Sequence, residues 1–309
     1  METMEQRTGF IAEDELPKFK LLLSCPAGLS PSEVSAVFDK KYDRIPHPDI
    51  RLENTIAEMW EKRVEQNPSL FNGLKFRYGG HSLDLWPDSS QKTNVRLHLG
   101  LTDYKTFVGT NLNPIWERFL IPSEDDWRRG QHTSNPLGNG AIVETSNKEV
   151  VVLQRSANVG EFPEHFVFPG GHPEPKELGI IRHQTDGESI QEMVDKRVSE
   201  EMFDSIIREV VEEIGVPAAT LGKPIFIGIS QRALNVRPAA FFFIKCSLKS
   251  EEIHQCYSSA EDSYESTQLY TMPMSDLARI KPKMPGCHQG GFALYKLMVD
   301  AVKENKQSL

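Results

Sequence analysis

The sequence predicts an α/β protein, more finely α+β: a mixed sheet packed between helices, preceded by a small α+β unit. Three observations predict it. The runs Ile225 to Ile229 and Ala240 to Cys246 are almost wholly apolar or aromatic, as strands buried on both faces are. Between residues 200 and 216 apolar residues recur every three or four positions, so a helix there lays one stripe on a core. A polar stretch with Gly, Asn and Pro, residues 124 to 139, separates two series of such segments.

The first series begins after residues 1 to 16, which are polar and expected to fray. Phe19 to Ser24 reads as a strand, and Ser30-Pro31-Ser32-Glu33 opens a short helix with proline near its first turn. Lys40 to Arg51, rich in proline and charge, reads as loop. Asn54 caps an amphipathic helix with Ile56, Met59, Trp60 and Val64 on one face, ended by Asn67-Pro68. Leu74 to Tyr78 alternates as a half-buried strand, Gly79-Gly80 turns, and Ser82 to Leu85 pairs back. Val95 to Leu101 alternates too, and Thr102-Asp103 caps a short helix through Tyr104, Phe107 and Val108. These segments form the N-terminal unit, residues 17 to 125.

The second unit spans residues 135 to 303. Ala141 to Glu144 and Val150 to Leu153 make a hairpin around Ser146-Asn147-Lys148. Phe166 to Phe168 is a strand leading to Gly170-Gly171. Residues 172 to 199 begin rich in Pro and Gly and turn helical from about Ser189; Pro175 to Val194 shows no core pattern and is expected at the periphery. After the two buried strands, Ser250 caps a helix, Thr267 to Met272 returns as a strand, and Phe292 to Val302 closes as a helix with Leu294, Leu297, Met298 and Ala301 inward.

The chain has 309 residues, 39% hydrophobic and 9% aromatic, as in ordinary soluble proteins. A net charge of −9 excludes a nucleic-acid groove, which needs a basic stripe. It does not exclude a phosphate-bearing small molecule, because a bound metal supplies positive charge locally. Cys25, Cys246, Cys256 and Cys287 form no C-x-x-C pair, and the nine histidines show no metal-ligand spacing. No run approaches the roughly 18 apolar residues of a membrane span, and the N-terminus is no signal peptide. The expected compartment is the cytoplasm, with the nucleus left open. Oligomeric state is not set.

On the helix from 200 to 216, Phe203, Ile206, Ile207, Val210 and Ile214 form the apolar stripe, and Glu209, Glu212 and Glu213 lie on another side. Glu209 and Glu213 are like charges at i,i+4, which destabilise a bare helix by a few tenths of a kcal/mol. Something must compensate, and Mg²⁺ takes oxygen ligands of this kind. Gly215 ends the helix in a left-handed conformation, and Pro217 prevents continuation.

The run Arg208-Glu209-aliphatic-X-Glu212-Glu213-X-Gly215-aliphatic, with Glu200 eight positions earlier, resembles the second half of the Nudix box. The glycine expected at position 194 is Val194; Gly170-Gly171 stands upstream, so the box is split by the insertion at 172 to 199. Phe168-Pro-Gly-Gly-His-Pro-Glu-Pro175 and Leu101-Thr-Asp-Tyr-Lys-Thr-Phe-Val-Gly-Thr-Asn111 further resemble one branch of that superfamily, the animal UDP-glucose pyrophosphatases. A solvated acidic helix face is the plainer reading of a glutamate run, and this spacing argues against it. The resemblance implies the Nudix α/β/α sandwich around a mixed sheet.

It also implies roles. Glu209 and Glu213 are metal ligands for Mg²⁺, with Mn²⁺ as a substitute, and Glu212 is a third ligand or the proton acceptor for water. Arg208 pairs with Glu200 to fix the helix against the glycine loop, or with Glu201, the insertion leaving the register open by one. Gly170 and Gly171 let that loop approach the metal. A further downstream acid is Glu265, with Glu261 and Asp262 in the same segment. His172 and Glu174, in a stretch stiffened by two prolines, face a sugar, with Gly160 in the same cleft. Phe71 and Tyr104 offer a stacking surface for uracil, a core role being the other reading of Phe71. Arg155, at a strand end, aims its fork at a phosphate or lies on the surface. The implied partner is a small nucleotide sugar, with no nucleic acid and no membrane. An enzyme splitting UDP-glucose or UDP-galactose, a pyrophosphatase for ADP-ribose or another nucleoside diphosphate, and a non-catalytic nucleotide-sugar sensor all use such a site.

Overall fold

The computed structural model describes residues 18–85, 93–157, 159, 161–183, 188–258 and 266–307. Gly160, Glu261, Asp262, Glu265 and the stretch 185–187 lie outside the described residues. Strands β1 (Phe19–Leu29) and β2 (Val34–Phe38) precede helix α1 (Ile50–Gln66), strands β3 (Leu74–Leu85) and β4 (Thr93–Asp103), and two short helices, α2 (Tyr104–Gly109) and α3 (Asp126–Arg129). Then follow β5 (Gly138–Glu144), β6 (Val150–Arg155), β7 (Phe166–Val167) and the long helix α4 (Glu188–Ile214). The chain continues through β8 (Ile225–Arg232), β9 (Pro238–Lys245), α5 (Ser250–Tyr257), β10 (Ser266–Met272), α6 (Met274–Ile280) and α7 (Gly286–Gln307). No described helix is long and apolar enough to cross a membrane.

The larger sheet runs in the order β1-β8-β9-β5-β6-β10, with β7 also paired to β6. β5 and β9 are parallel and the other pairs antiparallel, so the sheet is mixed as the sequence predicts. The smaller sheet has the order β2-β4-β3, β2 parallel and β3 antiparallel to β4. The first strand, read from sequence with the N-terminal segments, pairs with β8 at the edge of the larger sheet.

Local rules account for most elements. The helix read from Asn54 starts earlier, because the Asp49 carboxylate accepts a hydrogen bond from the Arg51 N–H and opens α1. Gly79-Gly80 makes no turn: β3 runs straight through it with a register shift against β4, the extra residue being absorbed where Gly80 has φ +121°. The expected connection at 124–139 is packed, not loose. Its Gly130 and Thr133 carbonyls accept from the fully buried Arg77 guanidinium at 2.9 and 3.2 Å. In α7, which starts at Gly286, Leu294 and Met298 face inward as expected, whereas Leu297 is exposed and Tyr295 takes a core position.

The apolar stripe of α4 is the hinge of the packing. Phe203, Ile206, Val210 and Ile214 are buried in one core that also holds Phe38, Phe76 and Leu97 of the smaller sheet and Phe242 and Ile244 of the larger. Full burial of each such side chain contributes about 1.5–3 kcal/mol. The N-terminal turns of α4 hold the edge strand β2. Gln191 Nε2 donates to the Phe38 carbonyl at 2.6 Å, Phe38 N–H to Asp195 Oδ1 at 2.9 Å, and Ala36 N–H to Ser199 Oγ at 2.8 Å. These bonds occupy polar groups that an uncovered edge presents to water. The expectation of a peripheral Pro175 to Val194 is therefore corrected: Pro175 and Ile180 are buried, and His183 stacks on Phe38 at 4.5 Å. The stretch lacks apolar periodicity because its anchors are scattered: two buried residues, a stacked ring and the Gln191 side-chain hydrogen bond.

Candidate active site

On α4, Glu209 and Glu213 sit one turn apart and both face the loop after β7. The Gly170 N–H donates to Glu213 Oε2 at 2.8 Å, and the His172 N–H donates to Glu209 Oε1 at 3.0 Å. The loop is held on its other side by β5: Gly171 N–H donates to Asn139 Oδ1 at 2.7 Å, and Asn139 N–H to the Gly171 carbonyl at 2.9 Å. Asn139 Nδ2 reaches back to Ser205 Oγ of α4 at 3.0 Å. A Cβ on Gly171 would overlap the Glu209 carboxylate, so glycine is what lets backbone and carboxylate meet here. Gly215, φ +73°, closes the helix as expected.

Burial pushes the Glu209 carboxyl up to about 7, with the charge of Glu212 adding to the rise and the His172 N–H opposing it. A buried carboxylate beside further carboxylates calls for a cation. Glu209 and Glu213 present hard oxygen donors to the cleft, and that donor set suits a divalent metal with oxygen preference. Glu212 does not line the cleft, and its charge acts on Glu209. Among the described residues no group of three or more His, Cys, Asp or Glu is gathered as a metal cluster.

The arginine partner differs from the first choice made on sequence. Arg208 Nη2 donates to Glu201 Oε1 at 2.7 Å, Glu201 being buried, while Glu200 is exposed and lies 4.0 Å from Lys196. Glu201 Oε1 also accepts the Glu174 N–H at 3.1 Å, so it ties helix to loop. The assignment of Glu200 is thus corrected to Glu201. Glu201→Gln is expected to lower stability by roughly 1.5–3 kcal/mol through loss of a charge-assisted bond, and Glu200→Gln by less than about 0.5 kcal/mol. Chemical denaturation of the two variants checks this.

One cleft of about 440 Å³ collects the rest. Tyr104, Arg155, Gly170, Gly171, His172, Glu174, Glu209 and Glu213 line it, together with Lys75, Glu161, Phe162, Arg232, Arg237 and His288, which the sequence reading missed. Phe71 does not: the residue is 77% exposed, which corrects the core reading of it, and it lies outside the lining of this cleft. Tyr104 packs edge-on against Trp60 at 5.9 Å and keeps a surface toward the cleft. Glu174 is paired to Lys75 Nζ at 2.6 Å, which brings β3 of the smaller sheet to the site. Burial holds His172 well below its ordinary value, and Arg237 and Lys75 add to that. Its Nε2 lies 2.7 Å from Arg237 Nη2 and accepts from it. Burial likewise pushes His288 down to about 3, and its Nδ1 accepts the Phe168 N–H at 3.1 Å.

Carboxylates and guanidinium groups lining one cleft make a place for a metal-bound, phosphate-bearing molecule. No family model matches the chain. Nudix hydrolase 9 of Arabidopsis thaliana is 57% identical over 307 residues, 96% of this chain and 97% of its own. The uridine diphosphate glucose pyrophosphatase NUDT22 of Homo sapiens is 34% identical over 271 residues, 85% of this chain and 86% of its own. The MutT protein from Methanosarcina mazei Go1 aligns over 55% of this chain and 94% of its own at 14% identity and a TM-score of 0.31. The chain belongs to the Nudix hydrolase family.

Proposed function

We propose that this chain is a divalent-metal-dependent pyrophosphatase that cleaves the diphosphate bond of UDP-glucose or UDP-galactose to UMP and the sugar 1-phosphate. The observation that carries the reading is the cleft that Glu209 and Glu213 line together with Arg155, Arg232 and Arg237. A diphosphate bound in it meets both oxygen donors for a metal and guanidinium forks. The likeness to a UDP-glucose pyrophosphatase at 34% identity supports the uridine sugar. The Arabidopsis relative, at 57%, carries a name that gives no substrate, so ADP-ribose stays as the second reading.

Glu209 and Glu213 would hold the metal, Mg²⁺ with Mn²⁺ as its replacement. When bound it supplies charge neutralisation at the phosphate oxygens and a more acidic water. Gly170 and Gly171 keep the loop against those carboxylates, and Arg208 with Glu201 fixes the helix behind them. A water oxygen bonds to one phosphorus, the bond from that phosphorus to the bridging oxygen breaks, and the bridging oxygen leaves on the other phosphate. Glu212 is the third ligand or the acceptor of the water's proton, either role requiring its side chain to turn into the cleft beside Glu209. Arg155 orients a phosphate, His172 and Glu174 border the sugar, and Tyr104 offers its ring to the base. Gly160 keeps a proposed place beside the sugar and Glu265 as a downstream acid. The sheet of β2, β3 and β4, with α2, provides the base-recognition side of the site.

A panel of nucleotide sugars and ADP-ribose with Mg²⁺, scored by phosphate released after phosphatase coupling, tests the assignment. Turnover confined to ADP-ribose overturns the uridine reading, and no turnover in any member overturns the enzyme. Stacking on a base is worth on the order of 1–3 kcal/mol. Tyr104→Ala is therefore expected to raise KM for UDP-glucose about tenfold with a smaller change in kcat, and Tyr104→Phe to cost little. Phe71→Ala, being exposed and outside the cleft, is expected to leave KM unchanged. An unchanged KM in folded Tyr104→Ala moves the base elsewhere.

A further inference from the structure

We propose that Glu161 sets which anions the cleft accepts, trimming the charge of an arginine cluster to match a diphosphate esterified at both ends. The inference rests on the nucleotide-sugar reading and names the property of the substrate that the site selects. Among the described residues, the charged side chains lining the cleft are Lys75, Arg155, Arg232 and Arg237 against Glu161, Glu174, Glu209 and Glu213. Four cations thus stand against four carboxylates, and each histidine ring spends a nitrogen as an acceptor, His172 Nε2 from Arg237 Nη2 and His288 Nδ1 from the Phe168 N–H, so neither adds a charge. With a divalent metal held by Glu209 and Glu213, two positive charges are in excess. A diphosphate with an ester on each phosphorus carries two negative charges. A nucleoside diphosphate with a free end carries about one more at neutral pH, and a triphosphate about two more.

Glu161 is the carboxylate that belongs to the arginines. Arg232 Nη2 donates to its Oε2 at 2.8 Å, Arg237 Nη1 lies 3.7 Å from its Oε1, and Arg155 Nε donates to its backbone carbonyl at 3.0 Å. Arg232 is only 2% exposed and cannot turn away to water. Its Nε is held by Asn235 Oδ1 at 3.0 Å, and the Asn235 carbonyl accepts from Asn111 Nδ2 at 2.7 Å. Phe162 lies under the same guanidinium, its ring centroid 4.7 Å away. Two guanidinium groups fixed this closely in a partly dry pocket need a counter-charge, and like charges brought together there are strongly disfavoured. With Glu161 present the pair has room for one further anionic group; without it, the pair has room for two.

The test uses the full-length protein with Mg²⁺ at the lowest concentration that sustains turnover, so that most UTP stays uncomplexed and keeps its extra charge, with UDP-glucose as substrate and UTP as competitive inhibitor. Glu161→Gln is expected to lower the ratio of the UTP inhibition constant to the UDP-glucose KM about tenfold or more, because it adds one positive charge to the cluster. Glu161→Asp keeps the charge and should keep the wild-type ratio. Arg237→Gln removes a charge of the other sign and should raise the ratio. A folded Glu161→Gln variant with the wild-type ratio overturns the proposal. If that variant fails to fold, an unchanged or lowered ratio in Arg237→Gln does the same. Should the wild type cleave ADP-ribose and spare UDP-glucose, the substrate reading fails while the ratio is read with ADP-ribose and ATP. Should nothing turn over, the ratio is read from equilibrium dissociation constants of UDP-glucose and UTP, so the two failures stay distinct.

Discussion

Glu213→Gln is expected to lower kcat by roughly 10³-fold or more at saturating Mg²⁺, about 4 kcal/mol of transition-state stabilisation, while leaving the fold intact. The side chain lines the cleft, and its Oε2 accepts the Gly170 N–H at 2.8 Å. Glutamine keeps an oxygen that accepts that bond, so the loop stays where it is; what disappears is the negative charge available to a cation. The apolar stripe of α4 points into the core on another face and is untouched. Two measurements separate the effects: a melting curve, expected to match the wild type without metal, and the initial rate on UDP-glucose. A variant that turns over near the wild-type rate would place the metal away from Glu213. Glu212→Gln is the companion. Glu212 does not line the cleft, so a loss as large as that of Glu213→Gln would assign the metal to it, and a smaller loss supports the role of proton acceptor.

The sequence carried the metal helix and the glycine loop because each is written in consecutive residues. An apolar stripe at three- and four-residue spacing and a glycine after the last turn are local signals, and the strands at Ile225 and Ala240 announce themselves by unbroken apolar runs. The choice between Glu200 and Glu201 was legible too, had helical phase decided it. Seven residues are close to two turns and return to within about 20° of the same face, whereas eight leave the pair about 80° apart. That is why Arg208 meets Glu201 and misses Glu200. β2 was not read because a five-residue strand right after Pro31 sends too short an alternating signal, and because its partners are β4, far along the chain, and side chains of α4. The rest of the cleft lining is a product of topology. Arg232 ends β8, Arg237 immediately precedes β9, Lys75 lies on β3, and Glu161 comes from the loop after β6. No spacing in the chain joins them. A charge at the mouth of a buried apolar strand was the one hint, since such a charge is placed where water or a ligand reaches it.

Gly171→Ala is expected to cost about 10²-fold in kcat/KM with little change in stability, whereas Gly170→Ala is expected to destabilise by about 3 kcal/mol. The two glycines are neighbours, yet a methyl group on each meets different matter. At Gly171 the three atoms nearest the added Cβ all belong to the carboxylate of Glu209, the far end of a flexible side chain. Swinging aside removes a proposed metal ligand from its place and breaks its bond to the His172 N–H, and a misplacement near 1 Å at a reacting centre costs rate on that scale. At Gly170 the Cβ runs into the Asn139 carbonyl and the Gly140 Cα, backbone atoms of β5 in the middle of the larger sheet. Those atoms are held by pairing with β9 on one side and by the Ala141 N–H bond to the Pro169 carbonyl at 2.7 Å on the other. Nothing there moves cheaply, so the strain appears as lost stability before it appears as lost chemistry. Urea denaturation of both variants and steady-state kinetics at saturating Mg²⁺ read the contrast. If Gly171→Ala keeps wild-type kcat/KM, the carboxylate of Glu209 is not needed at its present position, and the metal assignment falls back on Glu213 alone. Comparable stability loss in both variants would mean that the loop, not the Glu209 side chain, yields to the new methyl group.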